Sequence, residues 1–151
     1  MVWNRTSLCL VVLLAGCGIH RRQVRMPDAQ PGRIQFQSYC AACHRDDGQG
    51  EGAVPPLAGS LWVTGPETRL IKIVLHGVRG PMNISGKAYD LEMPGFGQIL
   101  SNADVASLLS YVRRRFGALS ESVTPAAVSR VRAAHPTRMH YWSVEELLQE
   151  P

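Results

Sequence analysis

The pentapeptide Cys40-Ala41-Ala42-Cys43-His44 restricts this chain more than any other feature of its 151 residues. Two thiols separated by two residues share a helical turn, and an imidazole follows at once. A redox dithiol belongs in a βαβ setting, which the flanking sequence does not offer. A zinc site needs two further ligands, and the later histidines His76, His135 and His140 lack paired spacing. A disulfide between Cys40 and Cys43 leaves His44 unexplained. Covalent attachment of haem uses all three residues: each thiol adds to one vinyl group, and the imidazole next in the chain points at the iron. One haem c, covalent through Cys40 and Cys43, is therefore the expected cofactor.

The chain's first segment supplies a compartment in which such chemistry occurs. Arg5 precedes the apolar run Leu8-Cys9-Leu10-Val11-Val12-Leu13-Leu14, after which Ala15, Gly16 and Cys17 follow. That run is far short of the roughly 20 residues that cross a bilayer as a helix, so it reads as a cleavable export signal. Leu14-Ala15-Gly16-Cys17 resembles the bacterial lipobox, which implies removal of residues 1–16 and a lipid on Cys17. Two acyl chains anchor a protein stably at a membrane surface. Residues 17–28, with Arg21, Arg22 and Arg25 and no periodicity, read as the tether. The expected location is the cell envelope, periplasmic or extracytoplasmic, with inner and outer membrane both open.

Composition excludes other classes. Hydrophobic residues make up 45% and charged residues 19%, enough for a packed core. The balance of 16 Lys+Arg against 12 Asp+Glu forms no basic stripe with interleaved aromatics, so no nucleic-acid partner is expected.

From Phe36-Gln37-Ser38-Tyr39 through the pentapeptide, Asp47-Gly48-Gln49-Gly50, Pro55-Pro56-Leu57-Ala58-Gly59, Leu75-His76-Gly77-Val78, Met93-Pro94-Gly95-Phe96 and Tyr111-Val112-Arg113, the order of motifs resembles a class I cytochrome c. The nearest kind is the bacterial lipoprotein and dehydrogenase-associated monohaem type. The resemblance covers residues 29–117 and implies an all-α class I cytochrome c fold around one haem. Residues 118–151 then form a short helical C-terminal tail.

A carrier of this type needs a second axial ligand, and Met/His ligation raises the potential. Met26 lies in the tether and Met139 in the tail, which leaves Met82 and Met93. Met93 is followed by Pro94 and matches the family's Met-Pro-x-Phe arrangement, so His44 and Met93 are the expected iron ligands. Met82 is expected to fill space beside the haem. By the same resemblance the Pro55 carbonyl orients the His44 ring and Leu57 packs on the haem. Trp62, Arg79 and Tyr89 are candidate partners of the propionates.

Local signals give the helices. Residues 31–42 read as a first helix, and Pro66 opens a second with Leu70, Ile71, Val74 and Leu75 on its apolar face until Gly77 stops it. Ser101 and Asp104 have capping-box spacing before Val105, Leu108, Leu109 and Val112, and Gly117 closes that helix. Gly32 and Phe36 at i, i+4, with Leu108 and Tyr111 at i, i+3, match the family's crossing of first and last helices. In the tail Thr124-Pro125 starts a helix over residues 125–134, and Ser143 with Glu146 starts another over Val144–Gln149. That tail either packs on the domain or presents Trp142, Leu147 and Leu148 to a partner. His135 and His140 are expected to be exposed.

The resemblance thus implies an electron carrier, not an enzyme, with no catalytic residue of its own. It would pass single electrons from a periplasmic or extracytoplasmic dehydrogenase to a cytochrome or oxidase. The alternative is a haem-based gas sensor or peroxidase-like protein with a labile sixth ligand, but the sequence offers no distal His or Arg constellation.

Overall fold

The computed structural model describes residues 30–90 and 92–149, besides Met1. The export signal, Cys17 and the tether lie outside the described residues. The chain enters through α1 (Arg33–Tyr39) and α2 (Ala41–His44), so the expected helix over residues 31–42 is two helices broken at Cys40. A short helix, α3 (Leu61–Thr64), follows; the Ser60 hydroxyl caps it by accepting from the Trp62 N–H at 3.2 Å. Next comes α4 (Glu67–His76), which Gly77 ends with a φ of 78°, a conformation open to glycine.

Among the described residues, five short strands occupy positions where helix and loop alone were expected: β1 (Gly77–Arg79), β2 (Met82–Ile84), β3 (Lys87–Tyr89), β4 (Met93–Pro94) and β5 (Trp142–Ser143). The all-α expectation is corrected accordingly: the described residues are mainly helical, with minor strands. Strands of two or three residues are too short to show alternation. The β2–β3 hairpin turns through Ser85 and Gly86, both at positive φ (53° and 83°), as a two-residue loop requires. The other three strands form a sheet in the order β4-β1-β5, with β1 antiparallel to β4 and parallel to β5.

The longest helix, α5 (Asn102–Gly117), begins in the expected capping box: Ser101 Oγ accepts from the Asp104 N–H, and the Asp104 carboxylate accepts from the Ser101 N–H at 3.1 Å. Gly117 is its last residue, but the left-handed turn beyond belongs to Ala118 (φ 53°). Gly117 instead leaves room for α3, where a Cβ would stand 3.1 Å from Thr64. Helix α1 crosses α5 so closely that a Cβ on Gly32 would collide with the Ser107 carbonyl. Phe36, fully buried, packs its ring 5.5 Å from Tyr111 and 5.2 Å from Phe116. Burying such a side chain contributes about 1.5–3 kcal/mol.

The tail packs on the rest of the molecule. Thr124 caps α6 (Pro125–Ala134), whose Ala127, Val128 and Val131 join the main core. Ser143 and Glu146 exchange hydrogen bonds of 2.8 and 3.1 Å at the start of α7 (Val144–Gln149). Trp142 and Leu147 are 2% and 0% exposed within a second core beside Ile73 and Val78, so they face their own chain; Leu148 alone of the three is exposed. His140 is exposed, whereas His135 is half-buried with its ring 4.9 Å from that of Trp142. No helix among the described residues is long and apolar enough to cross a membrane.

Candidate functional site

Three chain segments and the inner faces of α4 and α5 enclose a cavity of about 230 Å³. The first segment is the pentapeptide. Its helical turn brings Cys40, Cys43 and His44 to one wall, with Cys40 half-buried, Cys43 exposed and His44 buried. Arg45 then turns the chain sharply with a φ of 62°, a strained region for a residue with a side chain. The Gly50 N–H donates to the His44 carbonyl at 3.0 Å, and a Cβ on Gly50 would crowd the Val54 and Pro55 carbonyls. This loop returns Pro55 to the imidazole.

His44 Nδ1 lies 3.1 Å from the Pro55 carbonyl oxygen. A carbonyl only accepts, so Nδ1 carries the proton and donates, leaving the Nε2 lone pair available. Burial holds the His44 pKa below its usual value, with the Pro55 bond opposing the shift only in part. The ring is therefore neutral at pH 7, the form in which an imidazole binds a metal. Burial, assisted by the neighbouring Cys43, pushes the Cys40 thiol up to about 12. A catalytic dithiol needs the opposite shift, because its attacking species is the thiolate.

The opposing chain segments supply mostly hydrocarbon. Pro55 and Leu57 line the cavity, as do Trp62, Val74 and Val78, and Leu108, Leu109 and Val112 complete it. Met82, Tyr89 and Met93 come from β2, β3 and β4. Met93 is half-buried, and it touches both the main core and the smaller one around Trp142. Of the residues singled out in the sequence, Cys40, Cys43, His44, Pro55, Leu57, Trp62, Tyr89 and Met93 meet at this one cavity. Arg79 does not: it stands exposed at the end of β1, outside the lining. Leu108 and Leu109 were expected only to pack their helix and Ile73 was not singled out, yet all three line the site. The leucines' only signal was apolar periodicity, which does not separate core from cofactor wall.

Fitness for haem rests on this donor set. An apolar slot suits a flat macrocycle, while a buried neutral imidazole and a soft thioether suit iron. Two thiols at the mouth suit covalent attachment. A mainly helical fold built around such a slot, with C-x-x-C-H on its wall, defines a c-type cytochrome domain.

Comparison with known proteins agrees. Residues 27–112 match the family described as cytochrome c oxidase, cbb3-type, subunit III, and the chain belongs to that family of c-type cytochrome domains. Membership implies a covalently bound haem c. The chain is 36% identical over 106 residues to the cytochrome c subunit of a quinone-type alcohol dehydrogenase from Gluconacetobacter polyoxogenes, covering 68% of this chain and 22% of that one. It is 33% identical over 119 residues to the gluconate 2-dehydrogenase cytochrome c subunit of Pantoea cypripedii, covering 75% and 26%. With cytochrome c-552 of Thermus thermophilus it shares 36% over 93 residues, 58% of this chain and 70% of that one. The chain thus spans about a quarter of the dehydrogenase subunits it matches. Its relatives are electron-transfer cytochromes and subunits, not the catalytic components.

Proposed function

We propose that this chain is a monohaem electron carrier in which Cys40 and Cys43 hold the haem and His44 and Met93 ligate its iron. The haem supplies a centre that alternates between Fe(III) and Fe(II), taking up and giving back one electron. The protein's own residues do the rest. The Pro55 carbonyl fixes the His44 tautomer and the direction of Nε2. Leu57, Val74, Val78 and Leu109 exclude water and lower the local dielectric, which sets the potential together with the Met93 thioether. Trp62 and Tyr89 offer an N–H and an O–H at the cavity wall for the propionates; Arg79 could reach them only from outside it.

The observation that carries this reading is the convergence of a neutral imidazole, two thiols and the Met93 thioether on one apolar cavity. The domain boundaries follow it: residues 29–117 carry the site and residues 118–151 form the appended tail. A lipid on Cys17 would tether the domain to a membrane of the cell envelope through residues 17–28. The relatives' names suggest the partners: a dehydrogenase as donor, and a cytochrome or terminal oxidase as acceptor.

The test is an optical spectrum of the matured protein beside Met93→Ala. The expected result is a low-spin haem with a weak red sulfur-to-iron band that disappears in the variant. A high-spin haem in the parent, or a band unaffected by Met93→Ala, contradicts the ligand assignment.

A further inference from the structure

We propose that Arg132, in the tail helix α6, is a positioning residue for Met93: it clamps the loop that follows Met93 and so keeps the sixth ligand in place. This inference rests on the reading of Met93 as axial ligand. It assigns a role to the tail, which the attachment motif does not require.

The clamp is a guanidinium that serves three acceptors at once. Arg132 Nη1 donates to the Gly97 carbonyl at 2.6 Å, Nη2 to the Leu100 carbonyl at 3.0 Å, and Nε to Asn102 Oδ1 at 2.9 Å. Gly97 and Leu100 lie on the stretch that joins β4 to α5, and Asn102 is the first residue of α5. A planar fork of this kind holds its partners in fixed relative positions, which a single ammonium cannot do. The helix beneath it is anchored through Val128 and Val131, which are buried in the main core.

The same loop is fastened from its other side. The Phe96 and Gly97 N–H groups donate to the Val74 and Leu75 carbonyls of α4 at 2.8 and 3.0 Å. Those carbonyls belong to the last turn, where a helix leaves its acceptors unsatisfied. Upstream, Met93 pairs with Val78 on β1, and β1 in turn pairs with Trp142 on the tail strand β5. Met93 therefore sits between a strand braced by Trp142 and a loop pinned by Arg132. Any backbone movement that carries the thioether away from the cavity has to open one of these attachments.

Carbon monoxide measures that opening. It binds ferrous haem only when the sixth position is vacated, so its binding rate at saturating gas reports how often Met93 leaves. Hydrogen bonds from a charged donor hold the closed form and are lost on opening, so Arg132→Gln is expected to raise the opening rate by about tenfold or more. Val128→Ala, on the same helix but facing the core, supplies the comparison at a similar loss of stability against denaturant. A rate for Arg132→Gln equal to the parent's, or no greater than that of Val128→Ala, overturns the clamp. Should Arg132→Gln fail to accumulate, Arg132→Lys is read instead: it keeps the charge but not the fork, and an unchanged rate in it overturns the proposal equally.

Met93→Ala, measured alongside, is expected to bind carbon monoxide with no opening step. If it binds no faster than the parent, the ligand reading has failed and the clamp with it. Fast binding by Met93→Ala with parental rates in Arg132→Gln removes the clamp alone.

Discussion

His44 and Met93 line the same cavity but are held there by different means. The imidazole takes its orientation from a carbonyl 11 residues away, across one glycine-bearing loop. The loop after the thioether is pinned by a side chain 35 residues further along the chain, and its strand is braced by the tail strand through β1. A short-range arrangement forms together with its own helix turn. A long-range arrangement depends on the tail having docked, so undocking of the tail loosens it while the local one stays formed. On the proposed ligation, the Met93 side is thus where the iron would first become accessible, and the attachment side is where the haem would be kept.

That contrast can be broken most decisively on the attachment side. Replacing both Cys40 and Cys43 by Ala is expected to remove the haem-sized increment that otherwise survives denaturation, measured by mass spectrometry. Met93→Ala should retain the increment and lower the reduction potential, because Met/His ligation raises it. The two variants together separate holding the haem from tuning it.

Smaller effects sharpen the comparison. Leu147→Ala removes a fully buried side chain of the tail core that packs beside Val78 and Met93, and should cost about 2–5 kcal/mol of unfolding free energy in denaturant titrations. Gly32→Ala drives a Cβ into the Ser107 carbonyl at the α1–α5 crossing and is expected to cost about 1–3 kcal/mol. Unlike Leu147→Ala, it should leave carbon monoxide binding unchanged, since it acts on the attachment side.

The smallest effect is at the start of α5. Ser101→Ala removes the cap and should cost about 0.5–2 kcal/mol in the same titrations. The Ser101 hydroxyl, and then its N–H, hold the Asp104 carboxyl below its ordinary value. A depressed carboxyl stabilises the fold above that ordinary value and loses the contribution as pH falls through the folded one. Acid titration of Asp104→Asn should therefore lack this part of the parent's stability loss.

The sequence is most legible where the physics is local. The capping box at Ser101, the Thr124 cap and the Ser143–Glu146 exchange are contacts of three residues' reach, and each lies at its expected position. The crossing of α1 and α5 was legible through the resemblance alone, which pairs Gly32 and Phe36 with Leu108 and Tyr111; the structure adds that a Cβ at position 32 would meet the Ser107 carbonyl. Strands of two and three residues were not, since their pairing partners lie far apart and they bury too little to leave a pattern. Ser85-Gly86 was the one local hint of the hairpin. The role of Trp142 was open for the same reason: only the β1–β5 pairing turns it inward. At the cavity, the motif residues announced themselves through chemistry, while Leu108 and Leu109 read as ordinary helix packing and Ile73 gave no signal of its own.

As proposed, the chain passes single electrons through one haem with both axial positions filled. A reductive titration of the matured protein under carbon monoxide tests it most directly. The expected result is uptake of one electron per chain, with a spectrum that the gas leaves unchanged on the timescale of the titration. No electron uptake, or a reduced spectrum converted at once to that of a carbon monoxide complex, would contradict it.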